Sequence, residues 1–272
     1  MAMTSFAHVS DLHIGAGAAA DRNAVRLCEA LQREPGPVLL TGDITHHGLP
    51  QELDRFNEIF EPLLRKGRLI SVPGNHDRLG TDLRDSFMPG PRIQTVQRGG
   101  LWIVRLDSTG LHNRRWLEGH GKVSEQDIDD VEAALRAAPA GMQTALMVHH
   151  HPLPLAHDHP MERLVTMLGW PNARELGTGL ILLQRIRGLC DVVLHGHRHV
   201  PAELSPWPAD ERPLRLFSAG SSTLQRCYRT FRSATGMGCW RSLDEANEAP
   251  STWSKSRSHS GDGYFVNAIK DG

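Results

Sequence analysis

A set of short, unbroken apolar runs, each ending in glycine, aspartate, asparagine or histidine, restricts this chain most severely. Val38-Leu39-Leu40-Thr41 is followed by Gly42-Asp43, and Leu69-Ile70-Ser71-Val72 by Pro73 and Gly74-Asn75-His76-Asp77. A run without polar alternation suits a strand covered on both faces, as in a parallel sheet flanked by helices. Phe6 to Ser10, Leu101 to Leu106, Ala145 to Val148 and Val192 to Leu194 also read as strands, with Leu214 to Ala219 and Tyr264 to Ile269 closing the sheet.

Helices are expected between them. Asp21 to Leu31 carries Val25, Leu27 and Leu31 near helical spacing and stops before Pro35-Gly36-Pro37. Pro50 opens a second helix through Leu53, Phe56, Phe60, Leu63 and Leu64, with Gly67 as its stop and Pro62 expected to kink or shorten it. Ser124 to Ala138 is the clearest helix, capped by Ser124 with Asp127 and stapled by Val123 with Ile128. Strand, loop and helix recur without an internal repeat, so residues 1–272 read as one α/β domain. Two regions break the rhythm. Residues 152–179, rich in Pro, Gly and His, read as a cap or loop insertion, and the polar residues 236–263 as a mobile segment.

Composition narrows the class. The 272 residues are 39% hydrophobic and 22% charged, enough for a sizeable core. Thirty basic against 31 acidic side chains leave a net charge of -1, which argues against a surface built for duplex nucleic acid. The four cysteines, Cys28, Cys190, Cys227 and Cys239, show no paired spacing and read as reduced thiols. No apolar run reaches the ~20 residues of a membrane span, and no basic, apolar leader precedes Asp11. A cytoplasmic location is the expectation.

The 16 histidines are the anomaly, and the informative ones sit at strand ends. Asp11-Leu12-His13 follows the first strand; on extended chain, side chains two residues apart point the same way and can reach one cation. Gly42-Asp43 ends the second, where a carboxylate can bridge two cations. Gly74-Asn75-His76-Asp77 offers an amide oxygen, a proton-donating imidazole in His76, and in Asp77 a carboxylate to fix that imidazole's tautomer. His149-His150-His151-Pro152 and His195-Gly196-His197-Arg198-His199 end two later runs, Gly196 permitting close backbone approach. Singly, each is explained by a turn or a polar loop tip. Together they supply Asp, Asn and His in the proportions two cations sharing a carboxylate require. Such donors suit Mn, Fe, Zn or Ni rather than Ca.

The ordered pattern D-x-H, G-D, G-N-H-D, H and G-H-x-H resembles the calcineurin-like metallophosphoesterases, and its GNHD and HHHP forms most resemble the class III cyclic nucleotide phosphodiesterases. The resemblance implies a four-layer αββα sandwich of two mixed sheets. It implies one metal ion on Asp11, His13, Asp43 and His199 and a second on Asp43, Asn75, His150 and His197. His150 is taken because family members place this ligand two residues before proline; His149 or His151 would not disturb the rest. Two cations roughly 3.5–4 Å apart would activate a bridging hydroxide and clamp the phosphoryl oxygens. His76 would assist the leaving group, supported by Asp77, and His46 and His47 would touch substrate. The implied reaction is hydrolysis of a phosphodiester, a 3',5'- or 2',3'-cyclic nucleotide first. Relatives point to a homodimer, and neither membrane nor duplex nucleic acid is expected as a partner. The alternatives are a phosphomonoesterase, a glycerophosphodiesterase, a nucleotide pyrophosphatase or a non-catalytic metal-binding scaffold.

Overall fold

The computed structural model describes residues 5–154, 175–233 and 238–244. The apolar runs become parallel strands. β1 (Phe6–Val9), β2 (Val38–Thr41) and β3 (Leu69–Val72) lie side by side in parallel, and β10 (Cys227–Phe231) and β11 (Cys239–Ser242) extend the sheet in the order β11-β10-β1-β2-β3. β10 runs antiparallel to both β1 and β11. The second sheet has the order β4-β5-β6-β7-β9-β8, from β4 (Ile93–Arg98), β5 (Leu101–Leu106), β6 (Gln143–Val148), β7 (Val192–His195), β8 (Ala202–Leu204) and β9 (Arg215–Ser218). Its four central strands are parallel and both edges antiparallel.

Two-residue alternation explains why these strands are apolar throughout. Phe6, Leu39, Ile103, Ala145, Met147, Leu194, Phe217 and Phe231 fill the space between the sheets. Their neighbours Ala7, Val9, Val38 and Leu40 turn outward onto α1 (Ala18–Arg33) and α2 (Pro50–Arg65). Val104, Leu106, Leu146, Val148 and Val193 turn onto α4 (Glu125–Arg136) and α5 (Gly179–Ile186). The result is the expected four-layer αββα sandwich. α3 (Arg84–Phe87) is one short turn.

Several local expectations hold. The Ser124 hydroxyl accepts from the Asp127 amide at 3.1 Å, and the Asp127 carboxylate accepts from the Ser124 amide at 2.8 Å. All four cysteines are free, and no helix among the described residues is long and apolar enough to cross a membrane. Two expectations meet the structure in part. Pro62 neither ends nor shortens α2, which continues to Arg65; so close to the helix end the missing N–H removes one bond from the last turn. Within the polar segment 236–263, Cys239–Ser242 forms β11, because antiparallel pairing with β10 supplies its backbone partners. The rest of that segment past residue 244, residues 155–174 of the expected cap, and the closing strand Tyr264 to Ile269 lie outside the described residues.

Candidate metal centre

The carboxyl ends of β1, β2, β3, β6 and β7 all open onto one edge of the sandwich, where ligands gather in sheets of this type. The loops after β1 and β2 run side by side beyond the sheet. The amides of Asp11, His13 and Ile14 donate to the carbonyls of Gly42, Asp43 and Ile44, each at 3.0 Å, and His46 N–H returns to Ile14 at 3.0 Å. The chain does not stay extended there. Asp11, His13, Asp43, His197 and His199 all have positive φ, between 47° and 75°. Asp11 and His13 therefore converge through a left-handed path rather than the extended alternation expected from sequence. Such conformations persist only where the surroundings over-determine them.

Two glycines make this crowding possible. A Cβ on Gly196 would collide with Ser10 Oγ and the Asp11 carboxylate, and one on Gly74 with the backbone and carboxylate of Asp43. The chain after β9 also buttresses the site. Ser221 and Thr223 hydroxyls donate to the Asp11 and Leu12 carbonyls, each at 2.8 Å.

The side chains form two joined groups. In the first, His13 Nε2 and His199 Nε2 lie 2.9 Å apart, and His199 Nε2 is 3.3 Å from Asp11. In the second, the Asn75 side-chain oxygen is 3.1 Å from His149 Nε2 and 3.0 Å from His197 Nδ1. Asp43 stands between them, 4.0 Å from His13 Nε2 and 3.3 Å from His149 Nε2. Of the residues expected on sequence grounds, Asp11, His13, Asp43, Asn75, His197 and His199 are thus together.

These residues fit metal ions. Asp11 and Asp43 are buried carboxylates, held below their usual pKa although burial alone would raise them, and their charge partners among the described residues are imidazoles. Burial lowers His13 and His197 to about 3, so both are neutral and can offer lone pairs. Two nitrogens bound side by side to one ion at about 2.1 Å would stand about 3 Å apart, the separation His13 and His199 already have. Burial also works to lower His149, but Asp43 and Asp11 outweigh it and lift its pKa to about 9. A proton there does for Asp43 and Asn75 what a cation would do.

This geometry bears on three expectations and corrects the one for Asp77. His150 does not face the cluster's carboxylates: its Nδ1 accepts from the Ser108 hydroxyl at 2.7 Å, and its Nε2–H donates to the Gly119 carbonyl at 2.9 Å. Both nitrogens are thereby occupied in this arrangement; His150 still groups with His149 and His197 closely enough to share an ion, while His149 is the one that stands beside Asp43 and Asn75. Asp77 does not hold the His76 ring. Its buried carboxylate accepts from the amides of Ile44, Thr45 and Gly74 and from the Thr45 hydroxyl, binding the second and third loops together. His76 Nδ1–H donates instead to the His46 carbonyl at 2.7 Å. The Glu52 carboxylate engages the amide and Nδ1 of His47, at 2.8 and 3.1 Å, and the His46 ring packs beside those of His13 and His76, with centroids 5.3 and 5.5 Å away.

One rim residue is not marked by any sequence motif. Trp116, in the loop between β5 and α4, brings its ring within 5.2 Å of His76 and 6.1 Å of His47. Its spacing fits no pattern. The one signal in the sequence is an aromatic residue flanked by Arg114, Arg115 and Leu117 in a stretch with no strand or helix pattern.

Comparison with known proteins shows the family and the fold. Residues 4–201 match the family described as Calcineurin-like phosphoesterase. The chain belongs to that family. A probable cyclic nucleotide phosphodiesterase of Rhodococcus erythropolis is 30% identical over 173 residues, 56% of this chain and 53% of that protein. The chain therefore spans about half the length of that relative. The glycerophosphodiester phosphodiesterase GpdQ of Enterobacter lignolyticus is 26% identical over 209 residues, 71% of this chain and 70% of GpdQ. A dimetal phosphatase from Danio rerio shares the fold, with a TM-score of 0.61 at 13% identity over 85% of this chain and 92% of that one.

Proposed function

We propose that this calcineurin-like phosphoesterase hydrolyses phosphodiesters at a centre of two transition-metal ions, and that its substrate is a cyclic nucleotide, 3',5' or 2',3'. The observation that carries the reading is Asp43, whose carboxylate stands between two groups of imidazole, carboxylate and amide donors. Asp11, His13, Asp43 and His199 would hold one ion; Asp43, Asn75, His149 and His197 would hold the other. Mn, Fe, Zn and Ni all suit this donor set. Bound ions would polarise the phosphoryl oxygens and lower the pKa of an attacking water.

The protein's own part is positioning and proton transfer. His76 Nδ1–H is committed to the His46 carbonyl in either charge state, so Nε2 is the atom that takes up and releases a proton. Protonated, it donates to the leaving alkoxide. Asp77 keeps the segment carrying His76 against the Asp43 loop, and the His46 ring lies beside both His76 and His47, where the two rings would meet a substrate. The relationship to the Rhodococcus protein favours a cyclic nucleotide. Glycerophosphodiester hydrolysis is the second reading, supported by the broader coverage of GpdQ.

The test is turnover by metal-stripped protein resupplied with Mn, Fe, Zn or Ni, with Asp43→Ala alongside. Metal-dependent hydrolysis of 3',5'-cAMP or 2',3'-cAMP, abolished in the variant, supports the proposal. Turnover confined to a glycerophosphodiester would move the substrate to the second reading. A folded, metal-loaded protein inactive on all of these and on bis(para-nitrophenyl) phosphate would remove the enzymatic reading.

A further inference from the structure

We propose that Trp116 is the platform on which the base of a nucleotide diester stacks, and hence the residue that makes the site prefer nucleotides over base-free diesters. The inference rests on the phosphodiesterase reading above and adds to it the part of the substrate that lies away from phosphorus.

Three observations converge. First, Trp116 is 55% exposed and lies near Leu111 and Leu117 in sequence, which are 76% and 57% exposed. Three large apolar side chains left exposed in one short stretch of loop are unlike the isolated ones of an ordinary surface. Secondly, the indole sits beside the histidines that border the candidate centre. Its ring meets His76 edge-on at 5.2 Å and lies within 24° of parallel to His47 at 6.1 Å. A nucleotide joins its base to its phosphorus through a single pentose, so a phosphate at Asp43 brings the base to the rim beside His76.

Thirdly, the loop is held in place. Arg78 Nε donates to Thr109 Oγ1 at 2.7 Å, and Arg92 reaches the carbonyls of Thr109 and Lys122 at 3.2 and 2.8 Å. The Asn113 amide spans to the Glu118 and His120 carbonyls, and His150 clamps Ser108 and Gly119. A ring held this way gives up little freedom when a base lands on it. A platform at Trp116 also accounts for the buried His150, which anchors the loop that presents the indole. Stacking on an indole needs only a flat π-face, so Trp116 distinguishes base from no base rather than one base from another.

The experiment compares 3',5'-cAMP with 1-O-methylribose 3',5'-cyclic phosphate, the same diester without its base, on metal-loaded full-length wild type, Trp116→Ala and Trp116→Phe. The quantity read is the ratio of kcat/KM for the two substrates, with AMP affinity measured by calorimetry. A ratio that falls roughly 5- to 100-fold in Trp116→Ala, through KM, and largely returns in Trp116→Phe, with AMP affinity following, supports the platform. An unchanged ratio in Trp116→Ala overturns it while leaving cyclic nucleotide hydrolysis intact. A wild-type enzyme that turns over the base-free diester as well as cAMP, with no measurable AMP binding, overturns the platform and the nucleotide preference but keeps the phosphodiesterase.

Discussion

At the end of β6 consecutive side chains face opposite ways, and this parity sorts three adjacent histidines. Ala145 and Met147 point between the sheets, Leu146 and Val148 toward α4 and α5. His149 continues the inward series and meets Asp43; His150 continues the outward one and meets Ser108 and Gly119. Strand alternation alone, carried one residue past Val148, contains that distinction, so the choice was legible in principle. The role of Asp77 was not, because apart from the Gly74 amide its partners, the Ile44 and Thr45 amides and the Thr45 hydroxyl, lie some thirty residues away. His149→Ala should lower the metal content of purified protein from about two ions per chain to about one. His150→Ala should retain both ions while loosening the rim. Equal metal loss in the two variants, measured by elemental analysis, would contradict the ligand choice. His76→Ala should keep both ions and lose roughly 10²- to 10⁴-fold in kcat, and a smaller loss would give the proton to another group.

At the scale of elements, the runs buried on both faces were plain in the sequence because nothing but burial explains them. The edges were not. β4 reads Ile-Gln-Thr-Val-Gln-Arg with no clear apolar side, β8 has three residues, and β10 and β11 carry Arg229 and Arg241. Arg229 is buried by lying over the rings of Phe217 and Trp240, a tertiary circumstance no local pattern announces. The link from β5 to the rim also depends on a buried charge. Asp107 lies 2.8 Å from Arg84 Nε and 3.5 Å from Arg78, and accepts from the Thr109 amide and hydroxyl. Asp107→Ala leaves both guanidinium groups without that carboxylate and should cost about 3 kcal/mol, read from urea unfolding. A loss under about 1 kcal/mol would mean that water replaces the carboxylate.

For the whole molecule, the buried histidines set an acid limit on the metal-free protein. Burial drives the pKa of His8, His150 and His151 well below the ordinary value and that of His195 to about 4. Unfolded, each takes a proton near pH 6.5. Below that pH the unfolded chain binds more protons than the folded one, so stability falls as pH drops from 6.5 toward 4, by about 1.4 kcal/mol per pH unit for each histidine. His149, lifted to about 9, acts oppositely: its contribution is full below 6.5 and lost as pH rises through 9. His13 and His197, lowered to about 3, add to the acid loss, and His199 is raised as His149 is; the lowered histidines outnumber the raised ones, which predicts steep acid unfolding after chelation, and a thermal midpoint flat between pH 6.5 and 4 would refute it.

The matched region ends at residue 201 and contains every proposed ligand, yet β10 completes the first sheet beside β1, and Ser221 and Thr223 hold the carbonyls of Asp11 and Leu12. The unit that recognises a metal and the unit that folds are therefore not coextensive. A fragment stopped at residue 201 would keep all the donor atoms and lack the frame that aims them. In a related sequence cut short after its last histidine, an intact set of motifs would not imply a working centre.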